Sequence, residues 1–423
     1  MDGTTVAVAG GGVAGLVAAR HLAERGASVT VYERTEQVGG RVGSSRHDGH
    51  VCDAGFQVLF DAYPAARREL DYEALDLRRF APGATICRPN SRTTLADPLR
   101  DPGAAVETLL GRAITTGDKV RTARLRQTLG RRSGPPAYER RGEDRTIEQY
   151  LRDRGFSERY LDRFARPFYG GITLDRSLDS SALVFEFTFR MLVAGRAAVP
   201  AAGMGAIPAQ LASAARAAGA EIVTDADVEA LGPDGDGATL TVDGDDVTAD
   251  AAVVATDPWT ARDLTDVGAI PSESRGCVTQ YYTLGGSGLD AGGRILLNAA
   301  GGDPNQVVPV SAVAPEHAAG DATLLSATFL GAPDADEAAL AERTRATLAD
   351  WYPERTVGDL SVVHTARIPR AQFPQPPGVF ETLPDATDPD GPVYLAGDYT
   401  VNCSINGALE SGRRAARAAA ADC

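Results

Sequence analysis

A chain that ends a short apolar strand on Gly10-x-Gly12-x-x-Gly15 and runs straight into a helix has few folds open to it. Val6, Val8 and the alanines between them suit a strand buried on both faces, and the glycines stand at its end. In the helix that Val13 and Ala14 open, Leu16, Ala19, Leu22 and Ala23 share one face, and Gly26 supplies a left-handed stop. Ala27 to Tyr32 reads as a second strand. It leads to Glu33, 18 positions beyond Gly15, where a βαβ unit of this kind places the acid that binds ribose hydroxyls, with Arg34 beside it. A pyrophosphate needs bare backbone N–H groups and the positive end of a helix, and a β-carbon at the glycine positions would hold it away. A glycine triplet alone is weak evidence, because glycine-rich turns join many strands to helices. Strand, helix, strand and acid together make a nucleotide grip.

A second glycine doublet with an arginine, Gly39-Gly40-Arg41, follows almost at once. A nicotinamide dinucleotide has no use for it so soon after the ribose acid. Here the chain resembles the flavoprotein superfamily of amine oxidases, protoporphyrinogen oxidases and phytoene (carotenoid) desaturases. That resemblance implies that the doublet lets the backbone pass close to the FAD pyrophosphate and that Arg41 adds charge. It also implies that Gly55-Phe56-Gln57-Val58 meets the flavin ring, and that the backbone of Val228 meets the adenine.

The closing segment carries the same resemblance. Val393 to Tyr399 reads as a buried strand ending in Gly397-Asp398, followed by a helix from Ile405 with an early Gly407-Ala408 step. In the superfamily the aspartate accepts a hydrogen bond from a ribitol hydroxyl, and the helix N-terminus points at the isoalloxazine O2, where charge collects in reduced flavin. Cys403 lies in the loop where some amine oxidases attach flavin covalently. Asn402 and Ser404 flank it in place of the usual glycine and aromatic, so the expectation is non-covalent FAD. Tyr399 is the aromatic that the motif places near the flavin.

Composition narrows the partners. Fifty-seven carboxylates against 42 basic residues give a net charge of −15, which argues against nucleic acid. Lys119 is the sole lysine among those basic residues, and aspartate exceeds glutamate by 37 to 20, a profile that suggests a salt-adapted host. Cys52, Cys87, Cys277, Cys403 and Cys423 show no metal-ligand spacing, and the histidines are scattered, so neither a metal nor a disulfide framework is expected. The polar MDGTT start and the lack of an apolar run of roughly 18 residues point to a cytoplasmic chain, with membrane-surface contact left open.

The fold class expected is α/β: a Rossmann-like FAD-binding domain (GR2-type flavoprotein) interleaved with a second, α+β substrate domain. The FAD-binding part takes residues 1–60, 197–262 and 385–423, and the substrate part 61–196 and 263–384. Residues 62–100 read as helix and loop broken by Pro82, Pro89 and Pro98, and 101–165 as helical, one helix being capped by Thr146 or Asp144. The arginines between Arg112 and Arg145 read as solvated helix faces paired with nearby acids. Arg166-Pro167-Phe168-Tyr169-Gly170-Gly171-Ile172 is either a packed turn or a ligand-facing wall, and the resemblance favours the wall. Residues 181–200 fit strand alternation and helical spacing equally. From Gly276 to Ile368 a mostly antiparallel sheet is expected, including a strand over 306–314, with one helix from Asp336 to Trp351.

The resemblance implies an FAD-dependent oxidoreductase passing hydride from an apolar small-molecule substrate, of isoprenoid or carotenoid type, to flavin. It assigns no catalytic residue, because hydride transfer of this kind depends on positioning. It selects no electron acceptor among oxygen, quinone and other carriers. Two alternatives stay open: a flavin amine oxidase, and a non-enzymatic isoprenoid-binding escort similar to the GDP-dissociation inhibitors. The paired tyrosines of an amine cage and the flavin-site lysine of amine oxidases have no counterpart in the motifs.

Overall fold

The computed structural model describes residues 1–131, 137–139, 142–285, 288–355, 357 and 359–422. Cys423, Arg132, Arg140 and Arg141 lie outside them. Strand Thr5–Ala9 forms the middle of a five-stranded parallel sheet, flanked on one side by Ser28–Glu33 and then Glu221–Thr224, and on the other by Ala251–Val254 and then Val393–Leu395. After the exposed Thr5 its residues are Val and Ala and are almost wholly buried, as a parallel strand covered on both faces requires.

Helix Val13–Ala23 lies against this sheet, and the C-terminal helix Ile405–Asp422 lies against that helix. The two backbones approach so closely that a Cβ on Gly412 would stand 2.2 Å from the carbonyl oxygen of Ala14. Leu16 and Leu409, both fully buried, belong to one core cluster beneath the contact. The polypeptide's two ends are thus fastened together on the same sheet.

A three-stranded antiparallel sheet, Val228–Asp234, Gly237–Val242 and Asp245–Ala249, stands beside it. The remaining large sheet has seven strands in the order Leu360–Gln372, Arg275–Leu284, Thr323–Leu330, Gln306–Val308, Ile295–Asn298, Ala84–Arg88 and Ser91–Leu95. Only the Ala84–Ile295 pairing is parallel. Helix Glu337–Trp351, capped by the Asp336 carboxylate on the Ala339 N–H, buries Leu340, Leu348 and Trp351 in the same core cluster as this sheet. No helix among the described residues is long and apolar enough to cross a membrane.

Several expectations change. Residues 62–100 hold a helix, Pro64–Glu69, but also the strands Leu77–Arg79, Ala84–Arg88 and Ser91–Leu95. Of the prolines read as breakers, Pro82 and Pro89 lie between strands and Pro98 follows the last of them, and Asn90, with φ +57°, turns the hairpin after Pro89. The expected strand over 306–314 stops at Val308. Pro309 ends it, and a short helix, Val310–Val313, follows. The ambiguous 181–200 stretch is both things in turn: helix Ala182–Ala194, then strand Ala197–Pro200, with Gly195 closing the helix. The cap of helix Ile147–Asp153 is Thr146, whose hydroxyl accepts from the Gln149 N–H at 3.1 Å in a full capping box. Asp144 instead accepts from the Ser181 hydroxyl at 2.6 Å and the Gly378 N–H at 3.1 Å. The segment from Arg166 is no turn but the helix Arg166–Thr173.

Candidate functional site

One continuous cavity of about 1270 Å³ runs from the glycine turn at the head of the first helix to a pocket of aromatic rings. The turn is built by backbone contact between the two glycine motifs. The Gly39 N–H donates to the Gly11 carbonyl at 2.9 Å, and Gly12 bridges Gly39 as a parallel pair. A Cβ at Gly12 would meet nothing nearer than the Ala255 carbonyl at 3.9 Å, so it would project into the cavity. Gly15 does not line the cavity. It packs the helix onto the strand, since a Cβ there would stand 2.0 Å from the Gly10 carbonyl oxygen. The other expected residues, Gly10, Gly12, Val13, Ala14, Glu33, Arg34, Gly39, Gly40, Arg41, Gly55, Phe56, Gln57, Val58, Val228, Gly397, Asp398 and Ile405, all line the wall.

Glu33 ends its strand buried, and its carboxylate braces the turn: one oxygen accepts from the Gly11 N–H at 2.8 Å, the other from the Thr35 N–H at 3.0 Å and hydroxyl at 2.7 Å. A carboxylate has about four acceptor positions, so one remains for a hydroxyl of a bound ribose. Arg34 is largely exposed, 3.7 Å from Asp257.

The strongest link across the cavity joins residues 357 positions apart. Arg41 donates through one Nη to Asp398 at 2.7 Å and through the other to the Ala371 carbonyl at 3.2 Å. Asp398 is 5% exposed, held where the strand Val393–Leu395 gives way to the loop before the last helix. The expected pyrophosphate-side cation and the expected ribitol-side carboxylate therefore meet directly.

The loop over Ala54–Val58 is positioned from beneath. The Asp53 N–H donates to the Tyr281 hydroxyl at 3.0 Å, and that hydroxyl donates to the Asp53 carbonyl at 3.1 Å. Burial pushes the Asp53 carboxyl above the usual range, opposed by hydrogen bonds from Ser44 and the Met204 N–H. Gln57 donates to the carbonyls of Arg41 at 2.6 Å and Ala54 at 3.2 Å, while its own carbonyl oxygen is buried with no protein partner. The Asn402 side-chain nitrogen, also on the cavity wall, is buried and unpartnered. A buried acceptor and a buried donor without partners cost about 1–3 kcal/mol each unless a ligand satisfies them. These two orphans, the bare backbone at Gly12 and the Arg41–Asp398 pair fit a cofactor carrying a pyrophosphate, a polyol and a polar ring.

Cys403 lies on the wall as a free thiol, as Cys52, Cys87 and Cys277 are elsewhere. Burial and the neighbouring Asp398 hold it well above the ordinary thiol range, which keeps it protonated and unreactive at neutral pH. Tyr399, expected near the flavin, is placed elsewhere. It is fully buried under the parallel sheet, its hydroxyl donating to the Val254 carbonyl at 3.3 Å, because the chain turns after Asp398 and points the next side chain into the core.

Outside the 166–172 segment, the aromatic wall comes from residues no motif marks. Tyr63 stacks on Phe187 at 5.7 Å, Tyr138 meets Phe187 edge-on at 5.1 Å, and Phe164 stacks on Phe168 at 5.2 Å. Phe168, Tyr169, Gly171 and Ile172 line the cavity, so the 166–172 segment is a wall. Lys119, far from the motifs in sequence, also lines it, with its ammonium donating to the carbonyls of Leu109 at 2.8 Å and Gly111 at 2.6 Å. Arg126 is paired with Asp97 and Arg145 with Asp153, as expected, but neither is a solvated helix face: Arg126 lines the cavity, and Arg145 lies in the loop before helix Ile147–Asp153.

Comparison with known proteins gives the same picture. Protoporphyrinogen oxidase 2 of Arabidopsis thaliana is 28% identical over 189 residues, 45% of this chain and 36% of that protein. The 15-cis-phytoene desaturase of Synechococcus elongatus is 43% identical over 60 residues, 14% of this chain and 13% of that protein. The chain thus spans little more than a third of the first of these relatives and much less of the second. A solved structure of putrescine oxidase with putrescine bound superposes with a TM-score of 0.74 at 19% identity, covering 99% of both chains, which shows a shared fold. The model of the flavin-containing amine oxidoreductase family matches residues 13–420, nearly the whole chain, and the protein belongs to that family.

Proposed function

We propose that the protein is an FAD-dependent oxidoreductase that removes a hydride from an apolar small molecule of isoprenoid or carotenoid kind. The observation that carries this reading is the continuity of one cavity from Gly12, Gly40 and Asp398 to the rings of Phe56, Tyr63, Phe168 and Phe187. Bound flavin supplies a two-electron acceptor. The chain's part is to bind and to orient. Gly12, Gly39 and Gly40 would bare the backbone to the phosphates, and Arg41 with Asp398 would hold the polyol. Gln57 and Asn402 would offer an acceptor and a donor to a polar ring. The aromatic wall excludes water and presents a flat apolar surface, which suits a substrate that needs positioning more than acid or base assistance.

Purified protein should be yellow and lose its colour anaerobically on addition of a carotenoid or porphyrinogen substrate. Hydrogen peroxide formation with polyamines or aromatic amines and no bleaching by the apolar substrates would replace this reading with an amine oxidase. Cytoplasmic placement belongs to the same proposal, as does salt adaptation, which the −15 net charge and the single lysine support. Melting temperature should rise between low and molar KCl as self-repulsion is screened, and an unchanged melting temperature would remove the salt argument.

A further inference from the structure

The large hydrophobic side chains that stand exposed among the described residues are Leu99, Val106, Leu109, Leu110 and Val120, 77%, 66%, 60%, 76% and 47% accessible. All five fall within 22 consecutive positions of a 423-residue chain. Isolated surface leucines need no explanation, but a contiguous set does. Val106, Leu109 and Leu110 stand at i, i+3 and i+4 of helix Ala105–Leu110, hence on one face, while Thr108 on the opposite side is buried and accepts from the Ala96 N–H at 3.0 Å. Lys119 ties the neighbouring helix Thr116–Gly130, which carries Val120, to the end of this one through the Leu109 and Gly111 carbonyls.

Two further facts say what covers this face. First, Leu99, Leu109, Arg100 and Lys119 line the same cavity as the flavin motifs, so the apolar patch lies at the cavity's mouth. Second, the patch sits in the wrong charge for the rest of the molecule. Residues 99–131 hold seven basic and three acidic residues within a chain of net charge −15. Of the three acids, Asp118 is fully buried and Asp101 is paired with Arg294, whereas Arg112, Arg124 and Arg131 are exposed. Charges farther than a Debye length, about 8 Å at physiological salt, are screened, so a surface brought against this mouth feels the local cations and not the distant carboxylates.

We propose that this face docks on an anionic lipid bilayer, with the leucines and valines entering the headgroup boundary, the arginines held to lipid phosphates, and the cavity opened to the membrane interior. The docking goes beyond the redox reading, and binding is scored by protein on vesicles, so its failure would leave the flavin assignment untouched. An apolar substrate would enter from the bilayer without crossing water.

The test is flotation of the purified full chain with vesicles of phosphatidylglycerol and phosphatidylcholine in equal parts, or of phosphatidylcholine alone, over a range of KCl. The protein is expected to float with the anionic vesicles, less so as salt rises. The double variants V106D/L110D and R112E/R124E, whose side chains do not line the cavity, should each raise the lipid needed for half-binding at least tenfold while retaining flavin and melting temperature. Wild-type protein that stays unbound, or variants that float as well as wild type, would overturn the proposal. So would a dimer in sedimentation that V106D/L110D dissociates without any vesicle binding, which would assign the face to a second copy of the chain.

Discussion

At one end of the cavity Gly12, Gly39 and Gly40 present bare backbone, braced by Glu33 and closed by the Arg41–Asp398 pair; at the other, Tyr63, Phe164, Phe168 and Phe187 present side chains and almost no backbone. The first end is built for a ligand of fixed chemistry. A diphosphate needs N–H groups at hydrogen-bonding distance, and few residue types at few spacings permit that approach. The second end needs only apolar surface of the right shape, which many residue types and many spacings supply. Changes at the two ends should therefore have separable effects, and each prediction below would weaken the account if the effects mixed.

The largest effect on flavin binding is expected from Gly12→Val, whose side chain would fill the open space before the glycine turn. FAD affinity should fall at least 100-fold, about 2.7 kcal/mol, measured by flavin fluorescence titration, with circular dichroism unchanged. Retained affinity would show that the phosphates do not pass there. Next comes Asp398→Ala, which leaves Arg41 without its partner and removes the ribitol-side acceptor. Flavin affinity should drop roughly 10- to 100-fold, about 1.4–2.7 kcal/mol, with Asp398→Asn intermediate.

Phe187→Ala probes the other end. Phe187 is 6% exposed and packs against Tyr63 and Tyr138, so its loss should cost roughly 3 kcal/mol of stability in denaturant unfolding and raise the KM for an apolar substrate. FAD affinity should stay within about threefold of wild type, roughly 0.6 kcal/mol. A loss of flavin equal to that in Gly12→Val would erase the distinction between the two ends.

The smallest effect concerns the mouth. Asp118 is fully buried, where burial alone would raise its pKa, yet it accepts hydrogen bonds from Ser157 and Thr115 and is held below the usual carboxylate range. A depressed folded-state pKa stabilises the fold above the unfolded-state value, and that stability is lost as pH falls through the folded-state value. Asp118→Asn should remove that part of the acid dependence, about 1 kcal/mol in chemical unfolding between neutral pH and acid, and leave flavin binding alone. An acid profile identical to wild type would exclude this role for Asp118.

How far the sequence could be read follows the same contrast. The parallel sheet, both glycine motifs and the closing Gly397-Asp398 were legible because backbone chemistry restricts residue type at fixed spacing. Gly15 was legible only as part of the motif; that it packs the helix and leaves the cavity wall to its neighbours is a tertiary fact. Tyr399 misled because the turn after Asp398 reverses the side-chain direction, which no local pattern encodes. Phe168 and Tyr169 were expected as wall through the resemblance, and they line the cavity; Tyr138, Phe164, Phe187 and Phe189 carry no motif, because core and cavity wall have one composition and only the path of the helices separates them. Pro89 and Pro309 show the limit of punctuation, since a proline between two strands and one ending a strand look alike in sequence.

The most direct measurement is to take purified protein, record its absorbance, denature it in acid and centrifuge. A yellow solution whose colour passes entirely to the supernatant as FAD, one per chain, is the predicted result. A colourless protein that takes up no added FAD, or a flavin that pellets with the polypeptide, would contradict the account of how these two ends hold their ligand.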